Sequence, residues 1–330
     1  NWVLGGLKII FFLVFSPPLF REKTKNKHCK ENLKLSIIIK RIRKFSPDLI
    51  VAVGGGSVLD YAKMANVIEN TENLVKQIIN SSYPIKKKFT QLVAIPTTAG
   101  SGAETTSSAV IYIDKIKYSL ESGLIKPDFF FLIPKLVINA SKKIKSSSGF
   151  DSIAQAIESL ISKKSNYQSI NFAKKSLNIS LKYYLDYLRK PNFENTSAMH
   201  IAANLAGKAI NISKTTAPHA VSYPFTSLYN ISHGHAVSLT LEKFLKFNFI
   251  NYKKANCNFD LNLRYKSIFN IFGVRGIIEL ENFFIEMKKK AKLEDNFQKL
   301  KINLNNNIDR LINGINIRRL QNNPINLNKK

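Results

Sequence analysis

An α/β domain followed by an all-helical domain is predicted by three observations. A short, β-branched run, "LIVAV" (49–53), leads into three glycines and then a helical pattern. The run is too short for a helix of its own and suits a central parallel strand. "QLVAIPTTAGSGAETTSSAVIYI" (91–113) repeats the grammar of strand and small-residue loop, then offers a further strand. Beyond about residue 143 no strand–turn–helix unit recurs, and apolar residues return at helical spacing. A length of 330 residues suits two domains, with expected limits 1–142 and 143–330.

Taken in order, the opening "NWVLGGLKIIFFLVFSPPLF" is apolar enough to raise a signal or anchor, but Lys8 interrupts it and Pro17-Pro18 stop it early. Its centre, "KIIFFLVF" (8–15), reads as a buried strand, and no membrane role is expected. After "LIVAV", Gly54, Gly55 and Gly56 make a tight turn, Ser57 is the expected N-cap with Asp60 three residues on, and Val58, Ala62, Ala65 and Val67 begin a helix. "FFFLI" (129–133) closes the first domain, and "IPKLVINASKKIKSSSG" (133–149) joins it to the second. There the helices are "DSIAQAIESLISKK" (151–164), "SINFAKKSLNISLKYYLDYL" (169–188) and "ENFFIEMKKKAKL" (281–293), among others.

Composition narrows the function. Apolar residues at 45% are enough for globular folding. The net charge of +28 would draw polyanions if clustered, but the lysines are spread among Asn and Ile with no basic run interleaved with aromatics, so no nucleic acid is expected as partner. Cys29 and Cys257 stand far apart, which gives neither a disulfide framework nor a thiolate zinc site, and a reducing cytoplasm is the simplest setting.

Four stretches carry chemistry. The glycine turn offers backbone N–H groups and a positive helix end to an anion, although it lacks the full G-x-G-x-x-G pattern because Leu59 holds the last position; a well-capped turn explains it equally. The second loop adds hydroxyls from Thr97, Thr98, Ser101 and Thr106 at a neighbouring strand end, an arrangement suited to one dinucleotide. On the third stretch Ile153, Ile157, Leu160 and Ile161 share one helical face, leaving Asp151 and Gln155 one turn apart on another. They point together at a cation, or else Asp151 complements a helix N-terminus and Gln155 is solvated.

In the fourth stretch, "HAVSYPFTSLYNISHGHAV" (219–237), a continuous helix would hold His219 and His233 about 21 Å apart at ~1.5 Å per residue. Pro224 and "YNISHG" are expected to break it, and a second helix beginning near Ser232 folds the two imidazoles back to join Asp151. His235 is expected to pack rather than ligate, and His28 and His200 have no role.

With these stretches in view, the chain resembles the iron-containing (group III) alcohol dehydrogenases, of the dehydroquinate synthase-like fold. The resemblance runs from about residue 14 onward and rests on "GGGSVLDYAK", "IPTTAGSGAETT", "GFDSIAQAIES" and "HAVSYPFTSLYNISHGHAV", in that order. It implies an α/β N-terminal Rossmann-like NAD(P)-binding domain, an all-α C-terminal metal-binding domain, a divalent Fe or Zn in a cleft, NAD or NADP as cofactor, and interconversion of an aldehyde and a primary alcohol. By position, Gly55, Gly56, Ser57 and Asp60, with Thr97, Thr98, Ser101, Thr106 and Lys117, fall at the cofactor, and Asp151, Gln155, His219 and His233 at the metal.

Departures from the pattern carry expectations too. Gln155 stands where the family usually has a histidine, and an amide oxygen is a harder, weaker donor that tilts the site from Zn toward Fe, Mn or Mg. Tyr223 stands where many members carry a proton-relaying histidine, and a phenol of pKa ~10 is a poorer shuttle. The strand and glycine loop that ordinarily precede "FFLVFSPPLF" have no counterpart in the sequence as read, so a truncated start is expected.

Within the family the residues around "SKTTAPHAVSYPF" look most like the phosphonoacetaldehyde reductase (hydroxyethylphosphonate dehydrogenase) branch, with Lys214 near a phosphonate, Tyr223 and His235 beside the substrate, and a homodimer as candidate assembly. The rival reading is a member that has lost catalysis and serves as a binding or structural subunit.

Overall fold

The structure is a computed structural model that describes residues 2–4, 7–13, 30–83, 85–114, 116–304, 307–315 and 317–327. His28, Cys29 and Pro17-Pro18 lie outside the described residues. Two compact units emerge, one of residues 1–97 with 103–133, the other of residues 98–102 with 134–330.

The first unit runs β1 (Trp2–Leu4), β2 (Leu7–Leu13), α1 (Lys30–Phe45), β3 (Leu49–Gly54), α2 (Gly56–Val67), α3 (Leu74–Ile79), β4 (Gln91–Pro96), β5 (Ser108–Ile113), β6 (Ile116–Glu121) and β7 (Phe129–Phe130). Strand order in the main sheet is β1-β2-β3-β4-β7, parallel except for β1. "LIVAV" is central and fully covered at Ile50 and Ala52, as a parallel strand requires. β2 is covered on one face only: Ile10 is buried and Phe11 is 42% exposed, which corrects the expectation of a wholly buried strand. β5 and β6 form a separate antiparallel pair.

The glycine turn departs from expectation at its cap. α2 begins at Gly56 with Gly55 as N-cap, and no side chain caps it; Ser57 is already inside the helix. Two turns on, Lys63 is fully buried. Its ammonium donates to the Ala103 carbonyl at 2.9 Å, the Thr106 hydroxyl at 3.0 Å and the Ser108 carbonyl, and it meets Asp60 Oδ1 at 3.3 Å. Asp60 Oδ2 accepts the Val110 N–H at 3.1 Å. Burial pushes the Lys63 ammonium down and the Asp60 carboxyl up, and each charge partly offsets the shift of the other. Asp60 and Thr106 therefore tie β5 and its loop to α2, with polar atoms that face a buried cation.

The second unit is helical: α4 (Lys142–Ile161), α5 (Tyr167–Arg189), α6 (Phe193–Ser213), α7 (Ala217–Tyr229), α8 (His233–Ser238), α9 (Leu241–Ile250), α10 (Leu261–Phe272), α11 (Ile277–Ala291), α12 (Ile308–Asn313) and α13 (Ile317–Leu320). Asn166 and Asn192 open α5 and α6 with reciprocal capping boxes. α4 is the central helix, packed on α5, α6, α8 and α10. The expected solvated face is absent from it, since Asp151 and Gln155 are as buried as Ile153 and Ile157. Ser141 caps α4, so Asp151 sits mid-helix and not at an N-terminus. Pro224 lies within α7 without ending it; the chain leaves the helix at Asn230, in the left-handed region at φ 55°.

The loop after β4 divides. Thr97 and Thr106 belong to the first unit, Thr98 and Ser101 to the second. Gly102, at φ +61°, approaches α6 so closely that a Cβ would stand 2.4 Å from Gly207 Cα. No helix among the described residues is long and apolar enough to cross a membrane.

Replacing Lys63 by Met would leave the Asp60 carboxylate and two carbonyls without their cation. Breaking a buried pair in this way is expected to destabilise the first unit by about 3–5 kcal/mol, measured as a lowered urea midpoint.

Candidate metal centre

Asp151, Gln155 and Glu158 stand at i, i+4 and i+7 on α4, and so line one face of it. Opposite, His219 is the third residue of α7 and His233 the first of α8, with the Asn230–Ser232 turn folding one helix back on the other. Gly234 sets the distance between α8 and α4. A Cβ there would lie 2.0 Å from the Ser147 carbonyl oxygen and 2.8 Å from Asp151 Cβ, so no other residue permits this approach.

The result is a cluster. The imidazoles of His219 and His233 meet edge to face with centroids 5.3 Å apart. Asp151 Oδ1 is 3.2 Å from His219 Nε2 and 3.9 Å from His233 Nε2. One donor atom from each of the three residues lies within 4.8 Å of the others. Four ligands at ~2.1 Å from a tetrahedral ion stand about 3.4 Å apart, so these donors need only small adjustments to share one. Asp151 and His219 are buried, whereas the His233 side chain is 32% exposed and leaves the cluster open on one side.

The electrostatics favour a cation there. Burial pushes the His219 imidazolium down, but the Glu158 and Asp151 carboxylates outweigh it and hold the group up at about 10. Glu158 is fully buried and bonds His219 Nδ1, opposite Asp151 on Nε2. Gln155 donates from Nε2 to Asp151 Oδ2 at 3.0 Å, and its Oε1 is buried with no hydrogen-bond partner. Asp151, His219 and His233 offer the oxygen and nitrogen donors a divalent ion takes, with an unpaired amide oxygen on the side chain that braces Asp151, and the residues present fit one. The donors are mixed oxygen and nitrogen, with no thiolate.

Around the cluster, Tyr223 is buried and stacks on His233, centroids 5.7 Å apart. Ser222 Oγ stands 3.5 Å from His233 Nδ1. His235 has other partners: Nε2 bonds the Glu294 carbonyl at 2.6 Å and its backbone N–H donates to Ser147 Oγ, contacts that pack α8 in place. Lys214 is the residue after α6, half-buried, five positions before His219.

In the first unit, Gly55, Gly56 and Ser57 form the uncapped start of α2, and the Thr97 N–H donates to the Gly54 carbonyl at 2.9 Å, which places the two loops side by side at neighbouring strand ends. Lys117, on β6 opposite Tyr112, lies near enough for its charge to act on the Asp60 carboxyl. Sequence reasoning missed Glu158 and Lys63. For Glu158 the signal was present, since i+7 from Asp151 returns to the same helical face.

Two substitutions test this geometry. Gly234→Ala must force α8 away from α4; it is expected to lower stability by about 1–3 kcal/mol and to weaken divalent-ion binding, read by melting and by titration. Gln155→His puts a nitrogen donor in place of the amide and is expected to raise Zn²⁺ affinity at least about tenfold, measured by competition with a chelating dye.

Comparison with known proteins agrees with this arrangement. The family described as iron-containing alcohol dehydrogenase matches residues 26–134, and the Fe-containing alcohol dehydrogenase family, C-terminal, matches residues 145–330. Phosphonoacetaldehyde reductase of Streptomyces viridochromogenes is 29% identical over 224 residues, 65% of this chain and 56% of that protein. 1-Propanol dehydrogenase of Citrobacter freundii is 32% identical over 213 residues, 64% of this chain and 54% of its own length. The matched region thus spans little more than half the length of these relatives. Among solved structures, sulfoacetaldehyde reductase from Bifidobacterium kashiwanohense, in complex with NAD⁺, superposes with a TM-score of 0.80 at 26% identity, over 93% of this chain and 80% of that one. Sequence and fold together place the chain in the iron-containing alcohol dehydrogenase family.

Proposed function

We propose that this protein is a metal-dependent NAD(P)H oxidoreductase that interconverts an aldehyde and a primary alcohol. The observation that carries the reading is the convergence of Asp151, His219 and His233 donor atoms within 4.8 Å, buried on one side and open at His233. A divalent ion bound there supplies Lewis-acid polarisation of a carbonyl, and NAD(P)H supplies the hydride. Asp151 and His219 hold the ion from the buried side, with Gln155 adding its amide oxygen. Gly55, Gly56 and Ser57 are the residues proposed to receive the cofactor pyrophosphate, because the first turn of α2 has no side-chain cap of its own. Tyr223 covers one face of His233 and limits water there. A phenol of pKa ~10 donates poorly near neutrality, so the proton that completes the alcohol is assigned to solvent on the open side or to the substrate's own acidic group.

The substrate class we favour is an aldehyde that bears a tetrahedral anionic group. Two similar proteins, the phosphonoacetaldehyde and sulfoacetaldehyde reductases, are named for such aldehydes. Lys214 is the cation proposed to meet that group. Its backbone, at φ 59° and ψ 174°, is in a region that non-glycine residues rarely occupy, and strain of this kind clusters at ligand sites.

Purified protein loaded with Fe²⁺, Mn²⁺ or Zn²⁺ is expected to oxidise NADH or NADPH with phosphonoacetaldehyde, and to stop when the metal is removed by EDTA. Asp151→Ala and His219→Ala are each expected to lower the rate by roughly 10³-fold, equivalent to about 4 kcal/mol, in a folded protein. Full activity in either variant overturns the metal reading. Lys214→Ala should raise KM for the phosphonate and leave propanal unchanged; a response to propanal alone rejects the substrate class.

A further inference from the structure

We infer that Glu158 is the positioning residue for His219: one buried carboxylate both fixes which ring nitrogen carries the proton and starts the helix that presents the ring. The inference rests on the reading of Asp151, His219 and His233 as ligands of one ion.

Glu158 is 0% exposed. Its two oxygens have different partners. Oε2 meets His219 Nδ1. Oε1 accepts from the Thr216 N–H at 2.9 Å, the Thr216 hydroxyl at 2.8 Å and the His219 N–H at 3.4 Å. Thr216 is the N-cap of α7, yet its side chain caps nothing. A carboxylate from α4 fills that place, satisfying N–H groups that the first turn of a helix leaves open and complementing its positive end. The same group therefore decides where α7 begins and how its third residue is turned.

A carboxylate is an acceptor, so the Nδ1 it faces is the protonated nitrogen. In the neutral ring Nε2 then carries the lone pair, and Nε2 is the atom 3.2 Å from Asp151 Oδ1, on the side of His233. An acceptor behind a ligating imidazole raises its basicity and fixes its orientation. That effect offsets the weaker donor at Gln155, and it makes a gain in one residue of α4 answer a loss in another one turn away.

Co²⁺ is the probe for the test. Glu158→Gln keeps an amide oxygen for Thr216 but faces Nδ1 with a neutral group. It is expected to fold, to bind Co²⁺ about 10- to 100-fold more weakly than the parent, and to shift the visible Co²⁺ absorption. Glu158→Asp, a charge-retaining variant, should recover part of the affinity. A Gln variant with parental Co²⁺ affinity and spectrum overturns the inference while leaving the metal site standing. A parent protein that takes up no Co²⁺, Fe²⁺ or Zn²⁺ overturns both. A second measurement needs no variant: in Zn²⁺-loaded protein with ¹⁵N-labelled histidine, His219 is expected to show a protonated Nδ1 and a ligated Nε2. Ligation through Nδ1 removes Glu158 from the role.

Discussion

Two carboxylates from one helix, Asp151 and Glu158, lie buried inside a helical bundle beside Ile153, Ala154 and Ile157, and the single imidazole of His219 touches both. Moving such charges out of water costs several kcal/mol for each ion unless opposite charge and hydrogen bonds repay it. Their partners are specific and include His219 between them, Gln155 and His233 on Asp151, and Thr216 on Glu158. The rest of the second unit holds that arrangement still. α7 starts where Glu158 can reach it, Asn230 turns the chain, and Gly234 lets α8 close on α4.

The same logic appears in miniature in the first unit, where Lys63 is buried against Asp60, two carbonyls and a hydroxyl. The two cases differ in what they leave over. Around Lys63 every N–H of the ammonium has an acceptor, so the group works as a fastener between α2 and the loop before β5. Around His219 the balance is negative: two carboxylates face one imidazole, and an amide oxygen nearby has no donor at all. Without an ion the balance is met by a proton on His219, which is why its pKa stands at about 10. A divalent cation among the three donor atoms of Asp151, His219 and His233 supplies more positive charge than that proton does. The centre is thus built around a positive charge that the chain itself only partly provides.

Much of this was legible in the sequence, and the exceptions have physical causes. "LIVAV" read as a central strand because an apolar run so short and so branched fits little else, and His219 and His233 were expected together because the residues between them include a turn. Ser57 was misplaced because hydroxyl side chains usually cap helices; the glycine before it starts α2 with no side-chain cap. Asp151 read as a helix start because the preceding "SKKIKSSSG" has no apolar period, yet Ser141 caps the helix ten residues earlier. Periodicity detects a helix only where one side faces water, and α4 has no such side. Lys63, the buried partner of Asp60 and Thr106, looked like one more lysine in a lysine-rich chain. Burial, which no single sequence reveals, separated it from the rest.

Gln155 is the residue on which the chemistry of the centre turns. Had its place in the bundle been one of packing alone, a leucine or methionine of similar volume would fill it without a polar atom to satisfy, and an unsatisfied buried acceptor costs about 1–3 kcal/mol. Its Nε2 has a use, holding Asp151 Oδ2, but that bond leaves Oε1 stranded at 3% residue exposure. In the proposed site Asp151 keeps one oxygen for Gln155 and offers the other to the ion, and the amide oxygen is left for the ion or an ordered water to satisfy. The amide is a brace for Asp151 and, in the function proposed above, a ligand as well. A histidine at this position would bind more strongly through nitrogen, and an amide oxygen in its place suits the harder divalent ions better.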